Sequence, residues 1–131
     1  MLHLGLIEDN PGDVLLVREA LRSCLVPADV TIAYDGEEGL RMLTQEGAKF
    51  DFVILDLQLP KCNGLQILEH YRRENGPPVV VFTGSDNKAV CQRAIELGAR
   101  ECVTKPSGVN AFFKAVHDIV ERFAIGKLIG Y

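Results

Sequence analysis

The sequence lacks the features of a membrane protein and of a nucleic-acid-binding protein. None of its apolar runs approaches the roughly 20 residues that a transmembrane helix needs, and no basic stretch precedes an apolar segment at the N-terminus. The formal net charge is −4, and the 14 lysines and arginines are scattered, whereas a nucleic-acid-binding protein needs them clustered on one face. These absences predict a cytoplasmic protein that binds neither a membrane nor nucleic acid directly.

The sequence also lacks a metal-binding pattern of cysteines and histidines. It has no C-x-x-C pair and no motif that its histidines share, so a zinc site is not expected. In a reducing compartment the cysteines are interpreted as free, mostly buried thiols. These cysteines are Cys24, Cys62, Cys91 and Cys102. The histidines, interpreted as structural or surface residues, are His3, His70 and His117.

What the sequence does contain is a regular alternation of apolar runs and helical patterns, without a compositional break. A chain of this length is expected to form one compact domain. The apolar runs predict five strands, Leu2–Ile7, Val30–Tyr34, Phe50–Leu55, Pro78–Phe82 and Cys102–Val103. Three of the helical patterns stop at a glycine where a left-handed cap is expected, namely Gly47, Gly76 and Gly98.

Short connections between alternating strands and helices require parallel pairing and right-handed crossovers. The first, third and fourth runs are the most continuously apolar, which suits central strands covered on both faces. The predicted fold is therefore α/β, a doubly wound (βα)5 flavodoxin-like fold with a parallel five-stranded sheet of order 2-1-3-4-5.

Acidic residues stand where two neighbouring strands of this sheet end. Glu8 and Asp9 follow the first strand and Asp56 follows the third. The ligand crevice of such a sheet lies beyond the carboxyl ends of the strands, where the strand order reverses. Carboxylates that converge there repel one another, and a hard divalent cation such as Mg²⁺ is the simplest relief. The ends of the fourth and fifth strands add a hydroxyl, Thr83, and an ammonium, Lys105.

The residues near the first helix also have structural interpretations. Asp9 or Asn10 is a candidate N-cap of that helix, with Pro11 at its first position. Asp13 falls in the first turn, where an acid interacts favourably with the helix dipole. Taken alone, these residues therefore do not require a functional site.

The other candidates differ in how well a structural interpretation fits. Thr83 alone is compatible with a strand or a turn, and Lys105 alone with a solvated surface side chain. Asp56 cannot cap the next helix, because that helix is predicted to begin near Asn63 or Gly64. The joint placement at the ends of four strands favours a functional interpretation.

Taken together, these residues resemble the motifs of bacterial response regulator receiver domains, the CheY-like family. The resemblance covers nearly the whole chain and rests on Glu8-Asp9, Asp56 with Pro60 and Gly64 behind it, Thr83, and Lys105-Pro106. It implies a receiver domain over residues 1–124 and a C-terminal tail over residues 125–131. It further implies that Asp56 accepts a phosphoryl group.

The resemblance also implies roles for the residues around Asp56. Mg²⁺, or Mn²⁺ in its place, would be held by Asp9, by Asp56, by the backbone carbonyl of Gln58 and, through water, by Glu8. The residues that would contact the phosphoryl group and transmit its presence are Thr83, Gly84 and Lys105.

The family resemblance implies a signalling phosphoacceptor of a two-component or phosphorelay system, rather than an enzyme. Its partners would be a sensor histidine kinase or a histidine phosphotransfer protein, and a downstream protein target; a homodimer is compatible with this. The stretch EDNPGDVLLVREAL resembles a stand-alone subgroup that includes partners of phytochrome-type histidine kinases.

One position departs from the family pattern. Cys102 stands three residues before Lys105, where receivers usually carry a tyrosine or phenylalanine whose ring turns inward on phosphorylation. The signal is therefore expected to leave through the loop Gly84–Lys88 and the fourth helix, with little rotamer change at Cys102.

Rival functions fit the same residues less well. A dehalogenase-type phosphatase needs a second acid two residues after its nucleophile, where this chain has Gln58. A flavin binder needs a Ser/Thr/Gly-rich phosphate loop after the first strand, where this chain has EDNPGD, and no G-x-x-x-x-G-K-[ST] motif is present. The alternative that stays open is a phosphorylation-independent interaction module on the same fold, which an acyl-phosphate assay distinguishes.

Overall fold

The structure, a computed structural model, describes residues 1–24, 27–71 and 76–128, with side chains as far as residue 123. Within those ranges five strands alternate with five α-helices. The strands are β1 (Leu2–Ile7), β2 (Ala28–Ala33), β3 (Phe52–Leu55), β4 (Val79–Thr83) and β5 (Glu101–Thr104). The helices are α1 (Pro11–Arg22), α2 (Gly36–Glu46), α3 (Gly64–His70), α4 (Lys88–Glu96) and α5 (Val109–Leu128). None of the helices in the described ranges is long and apolar enough to cross a membrane.

The strands form one parallel sheet of order β2-β1-β3-β4-β5, which confirms the predicted fold. The register between β1 and β3 ends with Ile7 opposite Leu55. The next residues along the two strands, Glu8 and Asp56, therefore emerge side by side at the carboxyl edge of the sheet. The order thus reverses at the point where the sequence places its acids.

Two apolar clusters cover the two faces of the sheet. On one face α1 and α5 pack over β-strand side chains that include Leu4, Phe52 and Phe82. On the other face α2, α3 and α4 contribute to a second cluster, which includes Leu55 and Val81. Every residue of β3 and β4 is buried, as predicted for central strands, because helices exclude water from both of their faces. The edge strands β2 and β5 are only partly buried.

Some predicted strand boundaries are wrong by one or two residues. The second strand begins at Ala28 rather than Val30, and the third begins at Phe52 rather than Phe50. The third starts late because the Phe50 N–H donates to the Gly47 carbonyl at 3.1 Å and so closes a 3₁₀ turn, Gly47–Lys49. The fifth is longer than predicted and spans Glu101–Thr104.

Two of the three predicted left-handed caps are also wrong. Gly98 has a φ of 111°, as expected of a left-handed position that favours glycine. Gly47 instead has a helical φ of −54°, because the chain continues from α2 directly into the 3₁₀ turn. The third helix ends at His70 with Tyr71 as its C-cap, so Gly76 does not terminate it. The predicted boundary after residue 124 stays a prediction.

Gly36, the first residue of α2, and Gly47, the residue after it ends, allow a paired stability prediction. A Cβ atom on Gly36 would lie 1.5 Å from the backbone carbonyl oxygen of Cys62, which cannot move away as a side chain can. We expect Gly36→Ala to lower the free energy of unfolding by about 1–3 kcal/mol, the usual effect of overpacking. Urea denaturation followed by circular dichroism measures this change.

Gly47→Ala is the matched control for this prediction. Its helical φ suits alanine, and the atom nearest to an added Cβ is 3.5 Å away, at ordinary contact distance. We expect Gly47→Ala to raise the free energy of unfolding by roughly 0.4–1 kcal/mol through the lower entropy of the unfolded chain. Similar effects of the two substitutions would contradict the steric explanation.

Candidate functional site

The candidate site lies at the carboxyl edge of the sheet, where β1 and β3 end. The Glu8 N–H donates to the Ala33 carbonyl at 2.9 Å, and the Asp56 N–H donates to the Ile7 carbonyl at 3.0 Å. These bonds continue the strand ladders by one residue and fix both backbones. The two residues are 3% and 5% exposed, respectively. The structure therefore brings Glu8 and Asp56 into one buried crevice, as the predicted strand order requires.

Lys105 reaches into this crevice and contacts three carboxylates. Its Nζ lies 2.6 Å from Glu8 Oε1, 2.7 Å from Asp13 Oδ2 and 3.3 Å from Asp56 Oδ2. The side chain is only 12% exposed, so the interpretation of Lys105 as a solvated surface residue is wrong. The Lys105 N–H also donates to the Thr83 carbonyl at 2.7 Å, which ties the end of β5 to the end of β4.

Asp13 is the site residue that sequence reasoning missed. It lies in the first turn of α1, so the predicted interaction with the helix dipole holds, but its carboxylate also binds Lys105. The sequence signal for Asp13 was its position in EDNPGD, five residues after Glu8. This position places Asp13 in the first turn of α1, next to the carboxyl edge of the sheet where Glu8 lies. A role limited to the helix dipole is therefore wrong.

Asn10, not Asp9, caps α1. The Asn10 side-chain oxygen accepts hydrogen bonds from the backbone N–H groups of Gly12 at 2.9 Å and Asp13 at 3.3 Å. Asp9 is exposed at the rim of the crevice. Its carboxylate is thus not used as the helix cap, which was the structural alternative for this residue.

Burial and ion pairing act in opposite directions on the charges of the site. Burial raises the pKa of Glu8 to about 7, although the hydrogen bond from Lys105 opposes this shift. Burial would lower the pKa of Lys105, but its hydrogen bonds to Asp13 and Glu8 outweigh burial and raise that pKa. Lys105 is therefore charged at neutral pH, whereas Glu8 is close to its titration point.

The acids of the crevice could hold a metal ion. Glu8, Asp9 and Asp56 each offer a carboxylate oxygen, and these oxygens all lie within 4.8 Å of one another. Oxygen donors of this kind suit hard divalent cations such as Mg²⁺ and Mn²⁺. Lys105 contacts the carboxylates of Glu8, Asp13 and Asp56, and a fourth carboxylate, Asp9, lies beside them. The single positive charge of Lys105 cannot balance all four.

The remaining predicted site residues surround Asp56. The Gln58 N–H donates to Asp56 Oδ1 at 3.2 Å. Thr83 ends β4 with its side chain fully buried, and its hydroxyl oxygen accepts a hydrogen bond from the Ser85 N–H at 3.4 Å. Gly84 borders open space, since the atom nearest to an added Cβ is the Gln58 side-chain oxygen at 4.0 Å.

Cys102 is not a free thiol, which corrects the prediction from the sequence. It forms a disulfide with Cys91 of α4, and the two Cα atoms are 5.7 Å apart. The pairing arises because β5 aligns Cys102 with Val81 of β4, on the face of the sheet over which α4 packs. Cys24 and Cys62 are free, as predicted, and half-buried.

The shifted titration of Glu8 predicts how stability depends on pH in the metal-free protein. Between pH about 4.5 and about 7 the folded protein retains a proton that the unfolded chain releases. Rising pH therefore favours the unfolded chain, and the free energy of unfolding should fall by at most about 1.4 kcal/mol per pH unit. Above this range both states have released the proton, so the slope disappears.

Urea denaturation in EDTA across this pH range measures the slope. Glu8→Gln cannot titrate and is expected to remove it, whereas Glu19→Gln, which changes an acid on the surface of α1, is expected to retain it. The same slope in wild type and Glu8→Gln would contradict the assignment to Glu8.

Comparison with solved structures reveals the same fold over nearly the whole chain. The phosphorylated cyanobacterial phytochrome response regulator RcpA is 32% identical, with a TM-score of 0.84 and 92% of each chain covered. The Mn²⁺-bound form of the response regulator Rcp1 is 29% identical, with a TM-score of 0.82, and the match covers 92% of this chain and 93% of that chain.

Curated relatives and a family model agree with this likeness. The transcriptional regulatory protein GlrR of Escherichia coli K12 is 33% identical over 123 residues, which are 93% of this chain but 27% of that protein. CiaR of Streptococcus pneumoniae is 36% identical over 123 residues, or 53% of its length. The present chain thus spans about a quarter to a half of these relatives. The model of the response regulator receiver domain matches residues 5–117, and the chain therefore belongs to the response regulator receiver domain family.

Proposed function

We propose that the protein accepts a phosphoryl group on Asp56 and that this modification changes its affinity for a protein target. The observation that carries the proposal is the environment of the Asp56 carboxylate. One of its oxygens lies 3.3 Å from the Lys105 ammonium, and the acids Glu8 and Asp9 lie within metal-binding distance. Phosphoryl transfer requires a positioned nucleophile and positive charge; Asp56 supplies the nucleophile, Lys105 supplies one positive charge, and a cation held by the acids would supply the rest.

The phosphoryl donor is proposed to be a phosphohistidine of a sensor histidine kinase or of a histidine phosphotransfer protein. An Asp56 carboxylate oxygen attacks phosphorus, the phosphorus–nitrogen bond breaks, and its electron pair returns to the imidazole of the donor. The product on Asp56 is a mixed anhydride. The likeness to RcpA supports a phytochrome-type kinase as the donor. The domain that carries this reaction is proposed to comprise residues 1–124, with residues 125–131 as a tail. A homodimer of this domain is compatible with the proposal.

The residues around Asp56 orient the nucleophile and balance charge. The Gln58 N–H and the Lys105 ammonium bind different Asp56 oxygens, which fixes the plane of the carboxylate. During transfer, negative charge spreads over the three phosphoryl oxygens. Lys105 and the hydroxyl of Thr83 are proposed to contact two of these oxygens.

A divalent cation held by the acids of the crevice would complete this charge balance. The proposed ligands are Asp9, Asp56, the backbone carbonyl of Gln58 and, through water, Glu8. Bound Mg²⁺ or Mn²⁺ would supply positive charge to the remaining phosphoryl oxygen. Lys105 is already balanced by Glu8 and Asp13, so its charge alone does not offset that of an incoming phosphoryl group.

The modification is reversible, and its effect is proposed to leave through the loop that follows β4. Water attacks the phosphoryl group, releases inorganic phosphate and restores Asp56. While the group is present, Thr83 shifts toward it and draws Gly84 and the loop into α4 along. A difference of about 1–3 kcal/mol in affinity between the two states suffices to switch a partner.

The phosphoryl-transfer proposal is tested with a small donor. Acetyl phosphate with Mg²⁺ is expected to add one labile phosphate to the wild-type protein, because Asp56 is the buried nucleophile beside Lys105. Intact-mass measurement and Phos-tag electrophoresis detect this group, and Asp56→Asn is expected to carry none.

The matched control is Asp51→Asn, which changes an acid just before β3 while Asp56 remains. It is expected to label normally. Equal labelling of Asp56→Asn, or full labelling in EDTA, would reject the assignment. Folded wild-type protein that does not label would favour the phosphorylation-independent interaction module.

A second prediction concerns metal binding without phosphate. We expect weak binding of Mg²⁺ and Mn²⁺, since the protein offers few ligands and water must supply the rest. Asp9→Ala should remove most of this binding, whereas Asp13→Asn should retain it, because Asp13 contacts Lys105 and is outside the three-residue acidic cluster. Calorimetric titration measures both affinities. Unchanged affinity in Asp9→Ala would mean that Asp9 is not a ligand.

A further inference from the structure

The disulfide between Cys91 and Cys102 joins two elements next to the proposed site. Cys91 lies in the first half of α4, and Cys102 lies on β5, three residues before Lys105. The same strand binds β4, where Val81 pairs with Cys102 and Thr83 pairs with Thr104. The bond therefore connects α4 to the strand that carries Lys105 and flanks Thr83.

Besides the disulfide, the first half of α4 is held by Val90, which packs against the second apolar cluster, and by an ion pair between Arg93 and Glu69 of α3. The side chains from Lys88 to Arg93 are exposed or half-buried, and the first buried side chain of α4 is Ala94. The N-cap residue Asn87 binds backbone N–H groups of α4 itself, not of the sheet. The disulfide thus adds a covalent anchor to a helix segment whose side chains are otherwise exposed or half-buried.

The two sulfur atoms occupy a position from which they can react reversibly. The separation of 5.7 Å between the two Cα atoms lies in the range of roughly 4.4–6.8 Å found for disulfides, so the bond forms without a large backbone movement. Both residues are half-buried rather than enclosed in the core, which leaves the bond accessible to small thiols. Neither cysteine is a buried member of the two apolar clusters, although Cys102 packs against the second of them.

The other cysteines compete poorly for this chemistry. Burial raises the pKa of the Cys24 thiol and of the Cys62 thiol, and the charge of Glu37 adds to the effect at Cys62. A raised pKa leaves less thiolate, and thiolate is the species that attacks a disulfide. Cys24 and Cys62 are therefore poor nucleophiles toward the bond between Cys91 and Cys102, which limits disulfide rearrangement within the protein.

We infer that Cys91 and Cys102 form a reversible redox modification site that controls the movement of α4. In the oxidised protein the bond holds the first half of α4 on β5; in the reduced protein this segment can move with the loop Gly84–Lys88. The effect on signalling rests on the proposed function, whereas the bond and its effect on α4 do not.

The chemistry of the site is a two-electron thiol–disulfide exchange. Two thiols of a reductant, or one dithiol, give two electrons and two protons to the pair, the sulfur–sulfur bond breaks, and the reductant becomes a disulfide. Oxidation is the reverse reaction with a small-molecule disulfide such as glutathione disulfide. Disulfides of reducing compartments are usually transient or redox-sensing, which agrees with this assignment.

The first test follows the bond itself. The variant Cys24→Ser/Cys62→Ser retains only the proposed pair, so any intramolecular disulfide is assigned without ambiguity. After treatment with glutathione disulfide, the intact mass of this variant should be lower than that of its reduced form by two hydrogen atoms. No thiol should then react with N-ethylmaleimide in denaturant. After dithiothreitol, two thiols should react. Two reactive thiols in the oxidised sample would overturn the inference.

The second test follows α4 without phosphorylation. Amide hydrogen exchange at Val90–Arg93 should accelerate on reduction, while exchange in β3 should not, because the core is unchanged. Comparison of one protein in two redox states avoids the folding risk of a new variant, and Cys102→Ser should match the reduced protein. Equal exchange in both states would overturn the role of the bond as an anchor.

The third test joins the redox state to the proposed function. With Mg²⁺ and beryllofluoride, amide NMR signals near Asp56 and Thr83 should shift in both redox states, whereas those of α4 should shift only in the reduced protein. Equal shifts of α4 in both states, with a normal response at Asp56, would overturn the control of α4 but not the proposed function. No response at Asp56 in either state would reject the proposed function, and hydrogen exchange would then still decide the role of the bond.

Discussion

The arrangement of the site depends on a single ammonium group. Lys105 Nζ contacts carboxylates from three segments, namely Glu8 after β1, Asp13 in α1 and Asp56 after β3. Without a positive charge among them, these acids would repel one another in a crevice where little water is present to screen them. The parallel sheet makes this contact possible, since all strands deliver their carboxyl ends to one edge. The charge of Lys105 therefore holds together residues that the chain separates by up to 97 positions.

The same contact sets how much charge is left for a ligand. One ammonium shared by three acids leaves the crevice negative, and the exposed Asp9 adds to this at the rim. A divalent cation is attracted to such a site, whereas a phosphoryl group alone is repelled. Under the proposed function, the phosphoryl group is therefore expected to require a bound metal ion, because the metal ion supplies the positive charge that the phosphoryl oxygens need. Burial, and after it the negative charge of Asp56, raises the pKa of Glu8 against the opposing effect of Lys105.

Local sequence patterns predicted most of the fold and part of the site. Continuous apolar runs identified β3 and β4 as central, and an acid at the end of each of two neighbouring strands located the crevice. Two contacts were beyond such patterns. The bond from Asp13 to Lys105 spans 92 residues, and a first-turn acid is equally typical of the helix dipole, so the sequence could not distinguish the two roles. The pairing of Cys91 with Cys102 depends on which face of β5 meets α4, and spacing alone does not determine disulfide connectivity.

The edge strand β5 relates these two unforeseen contacts. Its register with β4 sets Thr83 opposite Thr104, so that the next residue, Lys105, donates its N–H to the Thr83 carbonyl and enters the crevice. The same register sets Cys102 opposite Val81, on the face of the sheet that meets α4. The strand β5, which has four residues, is therefore bonded to Thr83 through the Lys105 N–H at one end and to α4 through the disulfide of Cys102. Because β5 has only β4 as a neighbour in the sheet, it is held by fewer backbone hydrogen bonds than the central strands, and the disulfide to α4 adds a covalent attachment to it.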